Sequence, residues 1–113
     1  MIKIYHNPRC RKSREGLQIL QESGKDFEII EYLKESLSFD EVKAILNLLN
    51  IPPNKLLRKN EAIWKEHFKG KIMSDEDIIA SMVKFPKLIE RPIVINKEKA
   101  IIGRPTEAIK QIL

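Results

Sequence analysis

The 113-residue chain is long enough to build one domain around a real core, with no disulfide or metal clip to hold it. Its 42% hydrophobic and 33% charged residues exclude a disordered chain, and no apolar run approaches the ~20 residues that span a bilayer. The net charge of +5 is scattered, without blocks of like charge or aromatic–basic alternation, so the expected partner is a small anion and not a nucleic acid.

Ile2 to Tyr5 reads as a strand. It lacks the long apolar stretch and small-residue cleavage site of a signal peptide, and the expected location is the cytoplasm. His6-Asn7-Pro8-Arg9 forms a turn, because Pro8 fixes φ and has no N–H. A helix then runs from about Cys10 to Ser23, with Gly16, Leu17 and Leu20 inward and Gly24 ending it. Phe27 to Tyr32 returns as a second strand, giving a βαβ unit with parallel strands.

The middle of the chain is helical. Ser38-Phe39-Asp40-Glu41 is a capping-box signature, followed at helical spacing by Val42, Ile45, Leu46 and Leu49. Ile51-Pro52-Pro53 breaks that helix. Lys55 to Lys59 reads as a short turn of helix or loop, and Glu61 to Phe68 as a helix. Ser74-Asp75-Glu76-Asp77 starts another, which Lys84-Phe85-Pro86 stops. Ile93-Val94-Ile95 and Ala100-Ile101-Ile102 then flank a polar turn as a hairpin. Gly103-Arg104-Pro105 opens a final helix, with Pro105 at its first position. The order is βαβ, a helical insertion over about residues 34–86, then ββα. That is an α/β, thioredoxin-like order within one domain of residues 1–113.

Cys10 is the only cysteine, as suits a reducing compartment, and it cannot form an internal disulfide. It stands where a strand turns into a helix. The helix N-terminus favours the thiolate there and offers unpaired N–H groups to an anion. Arg9, Arg11, Lys12 and Arg14 add positive charge, His6 adds more if protonated, and Ser13 can donate a hydrogen bond to the sulfur or to an oxyanion. A phosphatase loop would need arginine at position 16, which is Gly16. A two-cysteine redox centre would need cysteine at position 13. No metal is expected, because His67 is the only other histidine and no Cys/His pair has zinc spacing.

Ile4-Tyr5-His6-Asn7-Pro8-Arg9-Cys10 with Ser13-Arg14 resembles the active-site segment of the glutaredoxin-coupled arsenate reductases. Leu56-Leu57-Arg58-Lys59-Asn60, Ile89-Glu90-Arg91-Pro92-Ile93-Val94 and Gly103-Arg104-Pro105 resemble that family's later segments, in the same order. The resemblance implies a thioredoxin-like fold with a helical insertion and Cys10 as nucleophile toward arsenate. Arg58, Arg91 and Arg104 would hold the oxyanion, and Pro92 would be the cis-proline facing the site. His6 would sit beside the thiolate and help lower its pKa, Ser13 would hydrogen-bond near it, and Asn7 and Arg14 would be substrate-binding or supporting residues. The resemblance implies no bound cofactor, glutathione as co-substrate and glutaredoxin as partner; the chain is expected to be a monomer. Two other readings come from related proteins: a glutathione-dependent thiol oxidoreductase with another substrate, and an RNA-polymerase-binding regulator of the Spx type. The regulators usually carry a C-x-x-C switch, and Ser13 stands at its second position here.

Overall fold

A computed structural model describes residues Met1–Leu113. The chain divides into two compact units, one built from Met1–Glu35 and Arg91–Leu113, the other from Ser36–Glu90.

The first unit is organised by β1 (Ile2–Tyr5), α1 (Arg11–Ser23), β2 (Phe27–Ile30), β3 (Ile93–Asn96) and β4 (Lys99–Ile102). The sheet runs β2-β1-β3-β4. β1 pairs with β2 in parallel, Ile2 opposite Phe27 and Tyr5 opposite Ile30, so the chain must cross over between them, and α1 is that crossover. β3 lies antiparallel to β1 and to β4. Ile2, Ile4 and Val94 of the sheet pack with Leu20 of α1 and with Ile109, which forms the core of this unit. The buried side of α1 is Ser13, Gly16 and Leu20, spaced as one helix face, and Gly24 closes the helix at φ 73°.

β2 stops at Ile30, two residues short of the expected end. Glu31 accepts hydrogen bonds from the Lys34 and Glu35 N–H groups, and that turn removes Glu31 and Tyr32 from the ladder. The hairpin turn is tight: Asn96 pairs with Lys99, and Lys97 takes a left-handed φ of 58°. The final helix is a 3-10 helix, Thr106–Ile112, and Pro105 precedes it instead of occupying its first turn. The ring fixes φ at −68°, but ψ is 157°, extended; a proline ring sets φ without dictating ψ. The Arg91–Pro92 and Arg104–Pro105 peptide bonds are both cis.

The second unit is helical: α2 (Phe39–Leu49), α3 (Pro53–Leu56), α4 (Ala62–His67) and α5 (Asp75–Lys84), then a 3-10 turn at Pro86–Leu88. Both cap signatures form. Ser38 accepts from the Glu41 N–H and Ser74 from the Asp77 N–H, while Glu41 and Asp77 reach back to the two cap N–H groups. Val42, Ile45 and Leu46 of α2 and Ile78, Ile79 and Met82 of α5 are the buried faces. Leu57 bridges Ile89, with the Arg58 N–H on the Leu88 carbonyl and the Glu90 N–H on the Leu56 carbonyl, both at 2.8 Å. No helix of either unit is long and apolar enough to cross a membrane.

Candidate functional site

Cys10 is the N-cap of α1, with extended backbone (φ −96°, ψ 122°) and a half-buried thiol. The loop before it is braced at four points. The Asn7 N–H donates to Ser13 Oγ at 3.0 Å, and Asn7 Oδ1 accepts from the Arg9 N–H at 3.0 Å. The Asn7 carbonyl accepts from the Cys10 N–H at 3.0 Å, and Arg14 Nη1 donates to the Pro8 carbonyl at 3.0 Å. Asn7 and Arg14 therefore act on the loop that carries the sulfur. A Pro-containing turn between a strand and a helix is held in a single shape by these bonds.

Two arginines reach the sulfur from the far end of the sequence. Arg91 is buried and hydrogen-bonds the Cys10 sulfur through its side chain. Arg104 is exposed, yet its position is fixed: Nε donates to the Arg91 carbonyl at 2.8 Å, and Nη2 lies 3.5 Å from Cys10 Sγ. One planar guanidinium thus ties the backbone of one arginine to the thiol. Burial pushes the Cys10 thiol up. The Ser13 N–H, the hydrogen bond and charge of Arg91 and the Lys12 N–H outweigh it, and the thiol sits below its ordinary value.

Three sequence expectations are corrected here. His6 does not supply positive charge: burial is the largest influence on it and lowers its pKa, so the ring is neutral near pH 7. Its Nδ1 lies 2.6 Å from Ser13 Oγ. With the ring proton on Nε2, Nδ1 accepts the Ser13 hydroxyl proton while Ser13 Oγ accepts from the Asn7 N–H. Second, the fully buried Ser13 hydroxyl is committed to His6 and Asn7; what Ser13 gives the sulfur is its backbone N–H. Third, the side-chain charges of Arg11 and Lys12 turn to Glu15, at 3.7 Å and 3.6 Å, and Lys12 helps the thiolate through its N–H.

Pro92 carries Arg91 into place between two glycines that sequence reasoning gave no role beside it. A Cβ on Gly16 would meet Pro92 Cγ at 2.8 Å, and one on Gly103 would meet it at 2.9 Å. The Gly103 N–H also donates to the Pro92 carbonyl at 2.8 Å. Nothing in the local sequence signals this, because the three residues meet only across the fold.

Arg58 belongs to the second unit. Its guanidinium is largely buried and held by two acids, Nη1 at 2.8 Å from Glu90 Oε1 and Nη2 at 3.7 Å from Glu61. Neither acid had a site role from the sequence. Glu90 was in view beside Arg91, but only tertiary pairing shows which cation it answers. No three His, Cys, Asp or Glu side chains are grouped as metal ligands. The arrangement around Cys10 is a stabilised nucleophile with preorganised cationic donors, suited to attack on the centre of an oxyanion.

Comparison with known proteins agrees with this chemistry. The profile of the ArsC family matches residues 5–112. The uncharacterized protein YfgD of Escherichia coli is 41% identical, over 99% of this chain and 96% of its own. An arsenate reductase of Neisseria meningitidis is 38% identical over 99% of this chain and 97% of its own. The solved structure of an arsenate reductase from Vibrio cholerae superposes with a TM-score of 0.95 at 40% identity, covering 99% and 97% of the two chains.

Proposed function

The chain belongs to the ArsC family, and on that premise we propose that it is an arsenate reductase that works through a covalent Cys10–arsenic bond, with glutathione and glutaredoxin supplying the electrons. The observation that carries this reading is the half-buried Cys10 sulfur, its thiol held below the ordinary value, met by Arg91 and by Arg104 Nη2 at 3.5 Å. Cationic donors positioned around a sulfur favour the thiolate, and the same donors answer the oxygens of a tetrahedral anion.

In this reading the Cys10 thiolate attacks arsenic(V) and an oxygen leaves as water. Glutathione adds to arsenic and a second water leaves. The glutaredoxin thiolate attacks the glutathionyl sulfur; the arsenic–sulfur bond electrons stay on arsenic, which becomes As(III), and a mixed disulfide departs. Water then cleaves the Cys10–arsenic bond and arsenite is released. The single cysteine supports the outside source of thiols, since an internal disulfide has no second partner. Arg91 and Arg104 hold the anion, and Pro92, His6, Asn7, Ser13 and Arg14 hold the thiol and its loop. The family resemblance gives Arg58 an anion-binding role as well, and its pairing with Glu90 and Glu61 fixes its guanidinium.

The deciding experiment is arsenite formation by the purified chain with arsenate, glutathione and glutaredoxin. Turnover that disappears in Cys10→Ser is expected. No arsenite formation, with glutathionylation of Cys10 intact, would instead favour a thiol oxidoreductase with another substrate.

A further inference from the structure

Apart from the Cys10 site, the helical unit carries an open groove of about 340 Å³. One wall is a stripe of α5, namely Asp77, Ala80, Ser81 and Lys84, spaced i, i+3, i+4 and i+7. The other wall is the segment after α4, with Phe68, Lys71 and Ile72. Ile72 has no cover at all, with an exposure of 102%. Midway along the α5 stripe stand the small side chains of Ala80 and Ser81, and the Ser81 hydroxyl is turned inward to the Ile78 carbonyl at 2.6 Å. The middle of the groove is therefore apolar and unfilled.

Its charge is one-sided. Lys71 and Lys84 line it, and each holds its ammonium over a ring, Lys71 at 6.0 Å from Phe68 and Lys84 at 5.5 Å from Phe85. Asp77 is the one acid along it, and its carboxylate accepts the Ser74 N–H at 3.2 Å in the α5 cap. An apolar slot walled by small residues and flanked by two lysines is complementary to a large apolar side chain flanked by carboxylates. We propose that this groove docks an acidic amphipathic segment of a partner protein, which inserts a large apolar side chain beside Ile72 and sets its carboxylates on Lys71 and Lys84. The site is independent of the reductase reading and uses none of its residues.

Trp64 reports on it. It is the only tryptophan and stacks on Phe68 with ring centroids 5.2 Å apart. The full chain is titrated with a synthetic amphipathic peptide of Glu, Leu and Ala. Saturable change in Trp64 emission is expected, with a Kd on the order of 100 µM, as for a transient encounter. A matched peptide with Lys in place of Glu is expected to leave the emission unchanged. Ile72→Asp should weaken the Glu peptide about tenfold, and the double variant Lys71→Glu/Lys84→Glu should reverse the preference between the peptides. All three positions are exposed, and circular dichroism checks that the variants stay folded. Equal binding of both peptides, absence of saturable binding, or insensitivity to Ile72→Asp would overturn the proposal. So would self-association in sedimentation that Ile72→Asp abolishes, since the occupant would then be a second copy of the chain. The titration involves no arsenic chemistry, so its failure and that of the reductase reading are told apart.

Discussion

Removing the Arg91 guanidinium should disarm Cys10 more than removing that of Arg104, although only Arg104 is visibly beside the sulfur from solvent. Arg91 is 8% exposed and hydrogen-bonds the sulfur from a buried position, whereas Arg104 is exposed and stands 3.5 Å away. A hydrogen bond to a charged group contributes about 1.5–3 kcal/mol, which corresponds to about a 10- to 150-fold change in the thiolate-to-thiol ratio. An exposed charge near 4 Å is worth about 1 kcal/mol in water, or roughly fivefold. The Ser13 and Lys12 N–H groups stay in place in both variants, so part of the thiolate preference survives. The assay is the rate of alkylation by iodoacetamide, which is neutral and so is not itself steered by the lost charge. Below the thiol's midpoint that rate follows the thiolate fraction, and Arg91→Met should slow it by about tenfold or more while Arg104→Met slows it by about fivefold. A larger fall for Arg104→Met, or a change under about threefold for Arg91→Met, would refute the reasoning, because the thiolate would then rest on the helix N–H groups.

Ser13→Ala strips the buried Asn7 N–H and His6 Nδ1 of their shared partner. It is expected to cost about 2–6 kcal/mol in urea denaturation, at about 1–3 kcal/mol for each of the two orphaned groups. The depressed Cys10 thiol makes stability depend on pH: its contribution is complete above the free-thiol value of ~8.5 and is lost as pH falls through the folded value. The stability difference between the wild-type chain and Cys10→Ser should therefore rise with pH across that window, and a flat difference would count against a stabilised thiolate. Arg104→Lys keeps the charge, but one ammonium cannot span both the Arg91 carbonyl and Cys10 Sγ, so kcat/KM for arsenate should fall about tenfold or more. Oxidised glutathione should add one glutathionyl group to the wild-type chain and none to Cys10→Ser by mass spectrometry, and thioredoxin alone should not replace glutathione with glutaredoxin in turnover.

What the sequence by itself determined was local and periodic. The two capping boxes at Ser38 and Ser74, the helix stop at Gly24 and the β3–β4 hairpin rest on contacts within a few residues, and the βαβ start was legible from the order and periodicity of its elements. The position of Cys10 at a helix N-terminus was legible for the same reason, since a strand, a proline turn and a helix follow one another directly. The electrostatics around that cysteine were decided by tertiary structure. Two cations close in sequence, Arg11 and Lys12, turn to Glu15, and the guanidiniums that meet the sulfur come from positions 91 and 104. Burial makes His6 neutral, and a sequence does not display burial. Arg58 carries two carboxylate partners, and Pro92 lies against Gly16 and Gly103, because the fold brings together residues that chain order keeps apart. Periodicity fixes which face of an element turns inward, but side-chain pairing depends on distances across elements, and those exist only once the chain has packed.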